Sequence, residues 1–286
     1  MPNNLACSYA YCSAVARREA GNFYPAFWML PGPQRRAMCA LYAFMRVTDD
    51  LTDEPGNLAD KQAALVSWRH EVQEALTGQF RHPLHPALAH VIRKYTIPQR
   101  YLNDVLDGVA TDLAAVHYAT FADLYAYCYR VASAVGLACI HIWGYRHESA
   151  KKYAESAGIA FQMTNILRDL REDAERGRVY LPAEDLARFD YSAELLRRGE
   201  RDGSFRALMR FEVERTREYY AAARPLSKLL DGPGRAIFQV MSGTYSGLLD
   251  AIERRDYDVF SSRVGLSPWR KAALAIQALP ARWALV

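Results

Sequence analysis

Cysteine is scarce in this 286-residue chain: Cys7, Cys12, Cys39, Cys128 and Cys139 form no CxxC pair and are odd in number. That argues against a disulfide framework and a thiolate zinc site, and it suits a reducing cytoplasm. A charge excess of one sign is missing too: 36 Lys and Arg stand against 32 Asp and Glu, a net +4. So small and dispersed a balance gives no reason to expect nucleic acid as a partner, although it does not repel an anionic substrate. No stretch reaches the ~20 apolar residues of a membrane span, and the apolar segment KAALAIQALPARWALV is broken by Pro280 and Arg282. The first residues, MPNNLACSYAYCSAVARREA, have Asn and Pro where an export signal carries basic residues. The expectation is a soluble, cytoplasmic chain with peripheral membrane contact at its C-terminal segment. Runs of β-branched residues, fixed-period repeats and low-complexity tracts are also lacking, which argues against a sheet protein or a solenoid.

What is present is helical patterning. Apolar residues recur at three- and four-residue spacing, as in Leu65, Trp68, Val72, Leu76 and in Leu102, Val105, Leu106, Val109, Leu113. Helix stops fall at Pro31-Gly32-Pro33, Pro55-Gly56, the stretch 78–86, Pro98, Pro182, the stretch 199–203 and Gly232-Pro233-Gly234. The 51% hydrophobic content can fill a sizeable core. The reading is all-α, one domain over residues 1–286. AMCALYAF (37–44) and VASAVGLACIHIWG (131–144) are apolar nearly all round, as expected of helices in the middle of a bundle. The second is rich in Ala, Ser and Gly, leaving room for close packing or for a long ligand.

Two acidic segments carry the chemistry. Asp49 and Asp53 in TDDLTDE, and Asp169 and Asp173 in NILRDLRED, are each four residues apart and share a helix face, with Asp50 and Glu172 beside them. Each pair follows a core-like helix, where the macrodipole disfavours anions, so a compensating positive charge is required. Solvation or neighbouring Arg could supply it, and so could a cation. Oxygen-only donors without accompanying Cys or His suit Mg²⁺, with Mn²⁺ as a substitute, completed by waters and substrate phosphates. Arg46, Arg168, Arg171 and Arg178 lie within reach of the same turns, to neutralise acids or to hold phosphate.

NFYPAFWMLP, RRAMCALYAFMRVTDDLTDE, LYAYCYRVASAVGL and FQMTNILRDLREDAERGRVYLP together resemble the squalene/phytoene synthase family of head-to-head prenyl synthases over nearly the whole length. The resemblance implies a class I isoprenoid synthase helical bundle with a central cavity. It implies Asp49, Asp53, Asp169 and Asp173 as metal ligands, with Asp50 and Glu172 assisting, Asn165 in a metal-diphosphate role and Asp112 near the metal cluster. Arg46, Arg178 and Tyr180 are implied to contact diphosphate, and Gln162 to face the cavity with the same metal-diphosphate role as Asn165. Tyr42, Tyr127 and Tyr245 match cavity tyrosines, while Val131, Ala132, Val135 and Gly136 match the wall that receives a prenyl chain. Without the resemblance, Gln162 and Asn165 read as exposed polar residues, Asp112 as a surface acid and the tyrosines as core. His117 and His141 are the nearest histidines and read as core or rim residues.

The implied reaction is a 1-1′ condensation of two prenyl diphosphates through a cyclopropylcarbinyl diphosphate, with apolar walls keeping water from the cation. The favoured substrate on sequence is farnesyl diphosphate, giving presqualene diphosphate and, with NADPH, squalene. The alternative is geranylgeranyl diphosphate, giving phytoene. NILRD departs from the NFWQD-like form associated with the hydroxysqualene-forming branch. A catalytically silent assembly subunit is the reading from another class, and the intact acidic motifs speak against it. A single-substrate terpene cyclase is disfavoured by the YCYRVASAVGL segment and the motif spacing.

Overall fold

Proline, glycine and capping side chains cut the chain into helices. The structure, a computed structural model, describes residues 5–21, 23–53, 56–113 and 117–283, with the side chains of Phe23 and Asp53 outside the description. In chain order the longer helices are α1 (Leu5–Glu19), α2 (Gly32–Asp53), α3 (Leu58–Leu76), α4 (His85–Lys94), α5 (Gln99–Thr111), α6 (Phe121–Cys128), α7 (Ala134–Trp143), α8 (Ala150–Glu175), α9 (Gly203–Ala223), α10 (Gly232–Arg254) and α11 (Pro268–Trp283). No strand occurs among the described residues, where Tyr145 and Leu230 form an isolated antiparallel bridge.

The boundaries have local causes. Asn57 caps α3 by accepting from the Asp60 N–H at 2.8 Å, and Asp202 caps α9 by accepting from Phe205 N–H at 2.8 Å. Thr120 and Asp123 form a reciprocal capping box at the start of α6. α8 ends at Glu175, well before Pro182, because Gly177 turns the chain at a φ of +76°. The stretch from Gly177 to Pro182 is therefore free to bring Arg178 and Tyr180 back toward the acids of α8.

Two apolar clusters meet along α8. Its N-terminal half, through Ala150, Ala154 and Ala157, joins a cluster with α1, α2, α4, α5 and α7. Its C-terminal half, through Ile159, Met163, Ile166, Leu167 and Leu170, joins one with α6, α9 and the end of α10. The two helices read as central are so: in α2, Ala37 to Leu41, Ala43 and Phe44 are buried, as are Leu137 to Ile140, Ile142 and Trp143 in α7. Each large one among them, such as Met38, Leu41, Phe44, Leu137, Ile140 and Ile142, contributes about 1.5–3 kcal/mol on burial.

One turn departs from the α pattern. Between α6 and α7 the residues Tyr129–Ser133 form a π-helical turn, an insertion that re-aims side chains relative to a regular helix. Ser133 Oγ donates to the Glu155 carbonyl at 2.8 Å, fastening this turn to α8. Opposite it stands Gly158, where an added Cβ would lie 2.6 Å from the Ser133 backbone nitrogen. Gly158→Ala is therefore expected to cost about 1–3 kcal/mol in urea unfolding. Gly203→Ala, where nothing lies within 4 Å of an added Cβ, is the control and should stay within about 0.5 kcal/mol of the parent.

Candidate active site

The glycine and alanine content of α7 and α8 leaves space between them. A cavity of about 330 Å³ opens there, bounded also by α2, the π turn and α10. Its apolar wall includes Val131 and Ala132 of the π turn, Val135 and Gly136 of α7, and Ala154, Ala157 and Gly158 of α8. Small side chains at these positions keep the cavity open, whereas Phe27, Trp143 and Phe238 supply its aromatic surface. The polar end is made by Tyr42, Arg46 and Asp49 of α2, Gln162 and Asn165 of α8, and Tyr245 of α10. Along α8, Ala154 to Asn165 spans about 16 Å at 1.5 Å per residue, so the cavity is long as well as apolar.

At the polar end the side chains are already interacting. Asn165 Nδ2 donates to Gln162 Oε1 at 3.5 Å. Tyr245 stacks on Phe161 at 4.7 Å, and burial pushes its phenol up to about 12. Arg46 pairs with Asp50, but its Nε is buried without a hydrogen-bond partner. Asp50 thus serves Arg46, while Asp49 faces the cavity. The Asp53 side chain lies outside the described residues.

One turn beyond Asn165 the acids of α8 experience opposite environments. Asp169 is embraced by two guanidiniums: Arg168 Nε donates to Oδ1 at 2.8 Å, and Arg263 donates through Nε at 3.0 Å and Nη2 at 3.2 Å. Burial pushes its carboxyl up, but the bonds from Arg168 and Arg263 outweigh that and hold it below its ordinary value. Asp173 goes the other way, lifted to about 7 by burial and then by the neighbouring Asp169 charge, with Arg178 and Arg176 only partly offsetting them. Glu172 lies 3.4 Å from Arg263. Glu175 and Arg176 are exposed, on the solvated side of the helix end.

Asp112, at the C-terminal end of α5, gathers tyrosines. Tyr127 Oη donates to its Oδ2 at 3.2 Å and Tyr180 Oη to its Oδ1 at 3.0 Å. The two buried rings stack at 5.2 Å, with Tyr118 5.5 Å from Tyr127. Burial first, and the Asp112 charge second, raise all three phenols. These residues pack beside the acids of α8 rather than in the cavity wall, so Tyr127 is placed with Asp112 and away from the other two expected tyrosines. Arg178 enters the same neighbourhood from the loop after α8, its N–H donating to the Asp173 carbonyl at 2.8 Å. His117 is exposed, and His141 packs between Tyr101 and Tyr145; neither lines the cavity.

The donors fit a hard divalent cation held together with an anionic ligand. Among the described residues no three His, Cys, Asp or Glu are gathered closely enough to hold an ion alone. The carboxylates instead come from two helices, and on α8 the Asp169 charge adds to burial in raising Asp173. Mg²⁺ takes few carboxylates and completes its shell with water and substrate oxygens. The orphaned Arg46 Nε at the cavity's polar end is a donor suited to such an anion.

Comparison with known proteins identifies the family. The family model described as squalene/phytoene synthase matches residues 16–270. The chain belongs to the squalene/phytoene synthase family. Within it, a 15-cis-phytoene synthase of Synechococcus elongatus is 35% identical over 94% of this chain and 91% of its own. A phytoene synthase of Arthrospira platensis is 34% identical over 94% and 92%. Among solved structures, a dehydrosqualene synthase in complex with ligand superposes with a TM-score of 0.88 at 28% identity, covering 96% of each chain. Squalene synthase HpnC from Alicyclobacillus acidocaldarius gives 0.84 at 26%, over 90% of this chain and 97% of its own. The chain is thus a prenyltransferase of this family with its all-helical isoprenoid synthase fold.

Sequence reasoning missed Arg263 and Lys271. Both line a second, more open cavity of about 460 Å³ that shares Tyr42, Asn165 and Tyr245 with the first. Arg263 sits in an unpatterned loop 94 residues from Asp169, so no local signal marks it. The Asp112 cluster is testable directly. Tyr180→Phe removes one of the two hydroxyls bonded to a carboxylate and should cost about 1.5–3 kcal/mol in urea unfolding. Unchanged stability would show that the hydroxyl–carboxylate bond contributes nothing.

Proposed function

We propose that this chain is a phytoene synthase, condensing two geranylgeranyl diphosphates head to head with Mg²⁺. The carrying observation is that the relatives at 34–35% identity across 94% of the chain are named phytoene synthases. The farnesyl reading favoured on sequence becomes the second reading, supported by structural neighbours named dehydrosqualene and squalene synthase at 28% and 26% identity. That second reading brings NADPH as hydride donor if squalene is the product. The first requires no reductant: two C1–O bonds break with their electron pairs leaving on diphosphate, and two protons depart as the 1-1′ bond and the final double bonds form. Retention of all four motif aspartates, with Gln162, Asn165 and Arg178, supports a catalytic chain over a silent subunit.

Asp49, Asp53, Asp169 and Asp173 would hold the metal, with Asn165 beside them and Asp112 supporting from the tyrosine cluster. Bound there, Mg²⁺ supplies the charge neutralisation that lets diphosphate leave. Arg46 and Arg178 bind diphosphate oxygens, and Tyr180 orients this end of the site through Asp112. Gln162 steadies Asn165. The aliphatic wall from Val131 to Gly136 takes the prenyl chains and excludes water, and Tyr42 and Tyr245 present ring faces that stabilise positive charge.

Asp169→Asn and Asp49→Asn should each lower kcat by roughly 10²–10³-fold with unchanged circular dichroism. Full turnover by either variant removes that residue from the metal site. Purified protein supplied with Mg²⁺, without NADPH, should convert geranylgeranyl diphosphate to a C40 hydrocarbon. A C30 product from farnesyl diphosphate, with geranylgeranyl diphosphate untouched, would select the second reading.

A further inference from the structure

The last turn of α2, residues 50–53, contains two acids and no basic residue, the wrong sign of charge for a helix C-terminus. The neighbouring helix α3 supplies what is missing. Lys61 donates from Nζ to the Thr52 carbonyl at 2.7 Å, placing an ammonium on a carbonyl that the end of α2 leaves without an intrahelical partner. Two turns further along α3, Trp68 Nε1 donates to Thr48 Oγ1 at 2.9 Å, one turn back in α2. Both threonines are buried, and each hydroxyl closes back on α2: Thr48 onto the Phe44 carbonyl at 2.8 Å and Thr52 onto the Asp49 carbonyl at 2.9 Å. Trp68 is held in turn. Its ring packs 5.2 Å from both His82 and His85, and His85 Nδ1 accepts from the backbone N–H groups of Arg81 and His82 at 3.2 and 3.1 Å.

These bonds set the roll of α2 about its own axis. Thr48 and Thr52 are four residues apart and bond toward α3, and positions 49 and 53 each follow one residue later, about 100° further round the helix. A carboxylate stands about 5–6 Å from the helix axis, so a roll of about 10° carries it about 1 Å sideways. Asp49 is one of the side chains at the polar end of the cavity, where such a displacement matters. Mg²⁺ demands a near-ideal octahedron at about 2.0–2.1 Å from its oxygens. Like charges four residues apart loosen a helix, and anions in its last turn loosen it further. The Lys61 ammonium opposes both effects from the backbone side, and Trp68 stops the turn before it from rolling.

We infer that Lys61 and Trp68 are positioning residues for the first acidic pair, holding positions 49 and 53 in register for a divalent cation before one arrives. The inference rests on the proposed role of Asp49 and Asp53 as metal ligands. Neither α3 residue needs to touch metal or substrate, since each acts through a threonine of α2.

Two measurements on the full chain test it, neither of them an activity. In metal-free protein, amide exchange across residues 49–53 should be about tenfold faster in Lys61→Met, which keeps the aliphatic stem and loses the ammonium. By calorimetry, Mg²⁺ titrated in the presence of inorganic pyrophosphate should bind about tenfold more weakly to Lys61→Met than to the parent. Lys61→Arg should restore the affinity, and Trp68→Phe, which keeps a ring and loses the N–H, should weaken it. Lys228→Met, at an exposed position on the short helix Leu226–Leu229, is the control and should change neither readout. Parent-like Mg²⁺ affinity in Lys61→Met, with only its melting temperature lowered, overturns the inference, because the lysine would then stabilise the fold without positioning the acids. So does a loss that Lys61→Arg fails to restore. If the parent itself takes up no Mg²⁺ with pyrophosphate while residues 49–53 stay protected from exchange, the metal role of these acids falls and the inference falls with it.

Discussion

Like-charge repulsion between buried carboxylates near the C-terminal end of α8 is the constraint on which this site depends. On α8, Asp173 stands in the last turn, where the helix dipole already disfavours an anion, with Asp169 one turn before it, and partial burial strengthens their repulsion. The protein answers unevenly. Asp169 receives two guanidiniums, one from its own helix and one from the segment before α11, while Asp173 is left strained by burial and by its neighbour. A site balanced in this way suits the divalent cation and diphosphate of the proposed function, both of which add charge of the sign each half lacks.

The second requirement is room. A long apolar cavity collapses unless its walls are small and its frame is stiff, and both conditions are met along one seam. Ala154, Ala157 and Gly158 of α8 face Val131, Ala132, Val135 and Gly136, and the π turn is fastened to α8 by Ser133 bonding to Glu155. The acids are mounted on the same two helices, α2 and α8, that enclose this space. Charge chemistry at one end and hydrocarbon accommodation at the other are therefore held in fixed relation by the two apolar clusters that meet along α8.

Much of this was legible in the chain because helix periodicity, breakers and i,i+4 spacing are local. The central position of residues 37–44 and 131–144 followed from their being apolar all round, and the acid pairs from their four-residue spacing. Gln162 and Asn165 were harder: polar residues on a mixed helix look solvent-facing until the partner helix is known, and only the family resemblance pointed them inward. The π turn was not legible, since YRVAS has the composition of an ordinary helix and its distortion is held from outside by Gly158 and Glu155. The choice between C30 and C40 chemistry was not legible on sequence, because a stop or extension in a cavity is set by side chains from several helices at once.

By itself, then, the sequence determined an all-helical chain, its principal stops, two acidic turns and a small-residue stretch, each a matter of residues within a few positions of one another. Only the tertiary structure decided which charges meet. Arg263 reaches Asp169 across 94 positions, Tyr180 reaches Asp112 across 68, and Lys271 comes to the mouth of a site built on other helices. The reason is physical: propensity and periodicity act along the chain, whereas burial and ion pairing depend on which surfaces pack together.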